Sequence, residues 1–295
     1  AAARGKAVQL DLLPRKADPR LAAEVRLQPL PGGPNVDPLF EEIPRRATNR
    51  QLGTRPHLSP VHAQALSAAA RDSGAKLQLC TDRAILTELG QLLGEAERLR
   101  LIAPGLHGTT MRQVRWSETE AQETSDGVRV EALAVTPMDF ATLQLLRSSD
   151  VAKVIRDTHG GRLLTMSSMQ AVGSSAALGL LTIGGPQPES LIRGGIAMQQ
   201  LWLTASALGV AVHPVNTLLD LFARVERFNG AGLDKQEIQQ LVDMRERFTR
   251  AFTVSFADAE ILLFRLSYAD ASPMRTQRRS VETVFTAIEP ASSTR

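Results

Sequence analysis

Ile192–Thr217, IRGGIAMQQLWLTASALGVAVHPVNT, joins a glycine-opened apolar run to a short turn of small and polar residues. Ile192, Ile196, Leu203 and Ala207 recur at spacings that share one face of a helix. Gly194 and Gly195 would let another backbone approach near its start. Apolar residues at helical spacing most often mean core packing and nothing more. A second reading, a helix and turn that face a cofactor, gains ground when two basic segments distant in sequence are set beside it.

The first is Ile43–Leu52, IPRRATNRQL, where Arg46, Thr48 and Arg50 alternate ahead of a turn region from Gly53 to Pro60. Alternate side chains of an extended segment face one side, so two guanidinium groups and a hydroxyl can converge on one anion. The second is Pro273–Val284, PMRTQRRSVETV, which follows the apolar run Ile261–Leu266 and adds Arg275, Arg278 and Arg279. Taken singly, each cluster reads equally well as a solvated or salt-bridged surface. Together with the apolar helix and polar turn they suggest a phosphorylated cofactor whose remainder is flat and apolar, a description that suits flavin mononucleotide.

In these segments the chain resembles the nitroreductase family, whose members pair an early Arg-x-Ser/Thr-x-Arg/Lys element with a late basic element, both on FMN phosphate. The resemblance runs from about Pro31 to Val284, through RRATNR, GGIAMQQLWLTASALGVAVHPV and RLSYADASPMRTQRR. It is nearest to a divergent branch with TNR after the first arginine and a long middle insertion, some members of which hold flavin under a lid. The resemblance implies an α+β fold with a mainly antiparallel central sheet flanked by helices. It also implies a homodimer with flavins at the interface, and NAD(P)H as a transient donor. Carried over by position, Arg46, Thr48 and Arg50 touch the phosphate, ribityl chain or pyrimidine edge. Pro214, Val215, Asn216 and Thr217 line the flavin, with a backbone donor after the proline near N5. Arg278, with Arg275 or Arg279, completes the phosphate clamp.

Three departures from the family pattern stand out. Its Pro-Ser-x-x-Asn-x-Gln-Pro-Trp-like segment has no match. Members of the TNR branch carry that segment upstream of regions like Val8–Pro14 and Leu21–Leu27, so the chain reads as part of a longer fusion protein with a flavin site open to being incomplete. Asn216 and Thr217 stand where an acidic residue and a glycine are common, and Thr217 narrows the backbone options. Ser280 stands where a proline often follows the basic pair, and Thr276 where a basic residue is common. Three functions remain: an FMN-dependent reductase moving electrons from NAD(P)H to a small acceptor, a non-catalytic FMN-holding or regulatory module covered by its insertion, and a flavin-less accessory domain.

The 295 residues, 43% hydrophobic, can bury a sizeable core, and no stretch reads as a linker between two cores. Residues 31–295 read as one domain, 1–30 as an extension, and about 103–173 as an insertion or lid. A net charge of +3 from 34 basic and 31 acidic side chains, with 4% aromatic residues, gives neither the electrostatic footprint nor the stacking platform of a nucleic-acid binder. Cys80 is the only cysteine, so an internal disulfide is impossible. No run approaches the roughly 20 apolar residues that cross a bilayer, and no apolar leader segment opens the chain, so the cytoplasm is the default expectation. The histidines at 57, 62, 107, 159 and 213 make no HExxH pair, which leaves a zinc site without support. His213 is singled out because it precedes Pro214, although a structural role is its plainer reading. There is no G-x-S-x-G elbow, P-loop or dinucleotide fingerprint.

Local signals mark the elements. Ser59 and Pro60 open a helix that Gly74 closes, Lys76–Cys80 alternates as a strand, and Asp82 caps a helix carrying Ile85, Leu86, Leu89, Leu93 and Ala96. Leu178–Ile183 and Ile261–Leu266 read as buried strands, and Asp234 with Glu237 forms a capping-box pattern. Between Ala103 and Gly173 helical fragments joined by loops are expected.

Overall fold

Ordinary local chemistry starts most of the helices in the computed structural model, which describes residues 1–15, 17–18, 20–124, 126–255, 257–272, 274 and 279–287. The strands are Lys6–Leu12 (β1), Ala23–Pro29 (β2), Ala75–Cys80 (β3), Val114–Arg115 (β4), Val128–Arg129 (β5), Ala177–Gly184 (β6), Ala211–Pro214 (β7) and Asp258–Ser267 (β8). The helices are Glu42–Arg45 (α1), Pro60–Asp72 (α2), Arg83–Ile102 (α3), Pro104–Gln113 (α4), Glu118–Thr124 (α5), Pro137–Leu145 (α6), Ser149–Asp157 (α7), Leu163–Gly173 (α8), Pro188–Ala207 (α9), Thr217–Phe228 (α10), Lys235–Ala251 (α11) and Val281–Val284 (α12). Asp82 accepts from the amides of Ala84 and Ile85 to start α3, and the Asp234–Glu237 capping box forms at α11 as its spacing predicts. Thr136 and Asp139 form a second capping box at α6, inside the segment whose pattern is weakest in sequence.

The fold is α+β. Four strands in the order β3-β6-β8-β7 form an antiparallel sheet with helices on both faces. Alternation sorts the side chains of the sheet. Leu178, Leu180 and Leu263 join the core with α3, α10 and α11, while Leu181, Leu262, Phe264, Leu266 and Val212 join the core with α2 and α9. Covered on both sides, β6 is buried from Ala177 to Ile183, which explains its unbroken apolar run.

Of the stripe expected on α9, Leu203 is buried and Ile192 half-buried, but the centre of the buried face is rotated away from Ile196 and Ala207. Gly194, Ala197, Leu201 and Ala205 are buried, whereas Ile196 is 48% exposed and Ala207 is also exposed. Small residues are selected because the helix lies close over the sheet. A Cβ on Gly194 would stand 2.4 Å from Ile261 Cδ1, so this glycine admits a side chain rather than a backbone, and Gly195 faces open space.

Within residues 103–173 the expected helical fragments joined by loops are helices α4 to α8, and α8 packs along α3 through Gly90 and Gly94. At the other end, β1 and β2 form a hairpin. One of its faces presents Val8, Leu10, Val25 and Leu27, each 45–60% exposed, and Val8 is paired with Leu27 and Leu10 with Val25. Among the described residues, no helix is long and apolar enough to cross a membrane, and no group of three or more His, Cys, Asp or Glu could hold a metal ion.

Candidate functional site

The residues after α1 run along the outer edge of β7. The Asn49 amide donates to the Val212 carbonyl at 3.0 Å, its side-chain Nδ2 donates to Asp270 O at 2.8 Å, and the Thr54 amide donates to Tyr268 O at 2.7 Å. This anchoring sends the two expected arginines to different elements. Arg46 stacks its guanidinium 4.5 Å from the ring centre of Trp202 on α9, and Arg50 donates from Nη1 to the Ala132 carbonyl at 3.1 Å. Thr48 lies between them, half-buried. The alternation therefore yields one arginine committed to an aromatic face and one reaching the helical segment around Ala132.

Beside Arg50 stands an arginine that the sequence reading did not single out. Arg265, on β8, is 1% exposed. Its Nε donates to His213 Nδ1 at 2.8 Å, Nη1 donates to Ala171 O at 2.9 Å, and Nη2 donates to the carbonyls of Arg50 at 2.7 Å and Gln51 at 2.9 Å. Neither Arg50 nor Arg265 meets a carboxylate among the described residues. Burial, reinforced by the charge of Arg50, pushes the Arg265 guanidinium down to about 10. Burial also lowers Arg50. His213 is held well below the ordinary histidine value by burial first, and then by Arg265 and Arg50. The result is a donor-rich, positively charged patch at the β7 edge. Its signal in sequence is the single charged residue within the apolar run Ile261–Leu266.

The turn after β7 is tightly built. Pro214 pairs with Phe264, the Val215 amide donates to Leu263 O at 2.8 Å, and Asn216 Oδ1 accepts the Leu263 amide at 2.8 Å. The Val215 amide is thus spent on the sheet. Asn216 has φ −73° and ψ −8°, and α10 begins at Thr217, so no left-handed residue is required and threonine stands where a glycine is common without strain. Thr217 Oγ1 donates to Glu97 Oε1 at 2.5 Å, and Arg100 holds the other Glu97 oxygen at 2.6 Å. No side chain caps α10.

Of the late basic element, Arg275, Thr276 and Arg278 lie outside the described residues. Arg279 acts near the segment between α5 and β5: the Asp126 carboxyl is held below its usual range mainly by its hydrogen bond from Arg115, with the charge of Arg279 adding to the effect. The structure thus brings Arg50, His213 and Pro214 into one neighbourhood, and gives Arg46 and Arg279 partners of their own.

No protein-family model matches the chain. Over 246 residues, 83% of the chain, it is 28% identical to the uncharacterized protein MT1398 of Mycobacterium tuberculosis (strain CDC 1551 / Oshkosh), and it spans about a third (34%) of the length of that relative. Among solved structures it is similar to the FMN-dependent nitroreductase NfnB from Mycobacterium smegmatis in complex with NADPH, at 16% identity over 85% of this chain and 98% of that one, with a TM-score of 0.48. It is also similar to a nitroreductase with bound FMN from Bacteroides fragilis NCTC 9343, at 11% identity over 86% of this chain and all of that one, with a TM-score of 0.47.

Proposed function

We propose that the chain is an FMN-binding, nitroreductase-like oxidoreductase that moves electrons from NADH or NADPH to a small acceptor. The observation that carries this reading is Arg50. It is a half-buried guanidinium with one carbonyl partner and no carboxylate, lying beside a second buried guanidinium and a neutral histidine at the Pro214 turn. Such a patch favours hydrogen-bond acceptors on the ligand, as the N1 and C2 carbonyl side of the flavin pyrimidine ring and the phosphate oxygens of FMN are.

The fit is strongest at that edge. Arg50 would bind the ligand's acceptor atoms, Pro214 and Val215 would line the ring, and Asn216 and Thr217 would hold the turn's shape through Leu263 and Glu97. Arg46, with Thr48 beside it, would orient the ribityl or phosphate end while keeping its stack on Trp202, and the late arginines would close the clamp. When bound, FMN supplies hydride acceptance and electron release. The protein's share is positive charge near the pyrimidine edge, a dry turn and fixed orientation. We place residues 31–295 in one domain, with about 103–173 as an insertion, acting as a homodimer in the cytoplasm.

The contact between Arg50 and Ala132 also supports a second reading, a non-catalytic flavin holder whose insertion covers the ligand. Absorbance from 300 to 550 nm, before and after anaerobic NADPH or NADH, separates the two. Flavin bands that bleach are expected of the reductase, bands that persist favour the holder, and a chain left colourless after FMN is added rejects both.

A further inference from the structure

His213 precedes Pro214 on β7 and is paired across the sheet with Arg265. Burying a guanidinium without a carboxylate is costly, so keeping one here needs a structural or chemical return. A guanidinium can only donate. The 2.8 Å contact from Arg265 Nε therefore makes His213 Nδ1 an acceptor and confines the ring proton to Nε2. That Nε2 has no acceptor among the described residues. Among the described residues it is not one of the buried atoms left without a partner, and the ring is half-buried rather than enclosed. Protonating Nδ1 would break the Arg265 bond and set a third positive charge beside Arg265 and Arg50.

We propose that His213 is a fixed, neutral hydrogen-bond donor to the ligand held beside Pro214, with Arg265 as its positioning residue. The ligand atom it selects is a carbonyl oxygen or an unprotonated ring nitrogen, and a ligand presenting its own N–H there is rejected. With Nδ1 occupied and Nε2 already carrying its proton, His213 neither accepts a proton from substrate nor ligates a metal in this arrangement. Arg265 also holds the carbonyls of Arg50 and Gln51, so one buried guanidinium sets both the donor ring and the backbone of the basic segment. The identity of the ligand rests on the flavin reading above, whereas the donor geometry rests on the His213–Arg265 contact.

Two experiments on the intact chain test this. Nitrogen NMR of 15N-histidine-labelled protein is expected to show His213 as a single neutral Nε2–H tautomer from about pH 5 to about pH 8. A ring that titrates near the ordinary histidine value, or that carries its proton on Nδ1, overturns the proposal. The His213→Asn variant keeps an oxygen acceptor for Arg265 Nε but removes the outward donor. FMN is expected to bind it about three- to tenfold more weakly than wild type, with the melting temperature preserved. FMN binding equal to wild type refutes the ligand contact while leaving the flavin reading intact. A wild-type chain that binds no FMN refutes the flavin reading, and the tautomer measurement then decides the donor assignment by itself.

Discussion

Thr165 of α8 lies directly against the bare Cα of Gly94 in α3: a Cβ built on Gly94 would meet the Thr165 carbonyl oxygen at 2.8 Å and its Cα at 3.0 Å. That approach seats α8 within the body of the protein. The same helix supplies the Ala171 carbonyl that accepts from Arg265, so the α3–α8 contact is one support of the candidate site.

Replacing Gly94 with valine is therefore expected to overpack the contact. The cost is about 1–3 kcal/mol, and little of it is offset, because β-branched valine regains only a small part of the helix propensity that glycine lacks. Urea denaturation checks this. An unchanged midpoint means that α8 moves away without cost and is not a fixed support.

Arg50→Ala and Arg46→Ala are expected to differ in kind. Arg50 is desolvated and lacks a carboxylate partner, so its loss removes a charge-assisted contact of about 1.5–3 kcal/mol and weakens FMN retention by about tenfold or more. Arg46 covers Trp202, so its loss costs about 0.5–2 kcal/mol of stability and reddens the tryptophan emission. Fluorescence titration with FMN and thermal melts of both variants compare the two effects. Equal FMN affinity in wild type and Arg50→Ala rejects the assignment of Arg50.

What was legible in the sequence was local. Asp82, the Asp234–Glu237 box and the LGLLTI run carry their structural meaning within a few residues, and all three form as their patterns imply. The orientation of α9 was not legible, because which stripe is buried depends on how closely the helix approaches the sheet, and there small residues outrank Ile196. Strand β7 was hidden as well, being four residues whose partner strand lies about fifty positions further on. In the site, RRATNR and the Pro214 turn were visible as motifs. Arg265 was not, because its partners, Ala171, His213, Arg50 and Gln51, converge only once the chain has folded.

The β1–β2 hairpin provides a test by hydrogen exchange. Two strands alone are marginally stable in water, and cross-strand pairs such as Val8 with Leu27 add only about 0.2–1 kcal/mol each. With its apolar face exposed, the hairpin is expected to exchange its amides early, and the buried strands β6 and β8 to exchange last. Protection of the hairpin equal to that of β6 would mean that its apolar face is covered in solution.

His213 makes stability depend on pH in a stated direction. Its folded value lies well below the ordinary one, through burial first and then Arg265 and Arg50, so between the two values the unfolded chain binds a proton that the folded chain refuses. Stability contributed by this group is present above the unfolded value of about 6.5 and is lost as pH falls from there toward the folded value, at up to about 1.4 kcal/mol per pH unit. His213→Asn cannot titrate and lacks this slope, while every other acid and histidine is common to the two proteins. Urea midpoints measured from about pH 7.5 down to about pH 4.5 should therefore diverge, with wild type losing stability faster than the variant. Parallel curves would mean that His213 protonates as readily in the folded chain as in the unfolded one, and Arg265 would then not be holding its Nδ1.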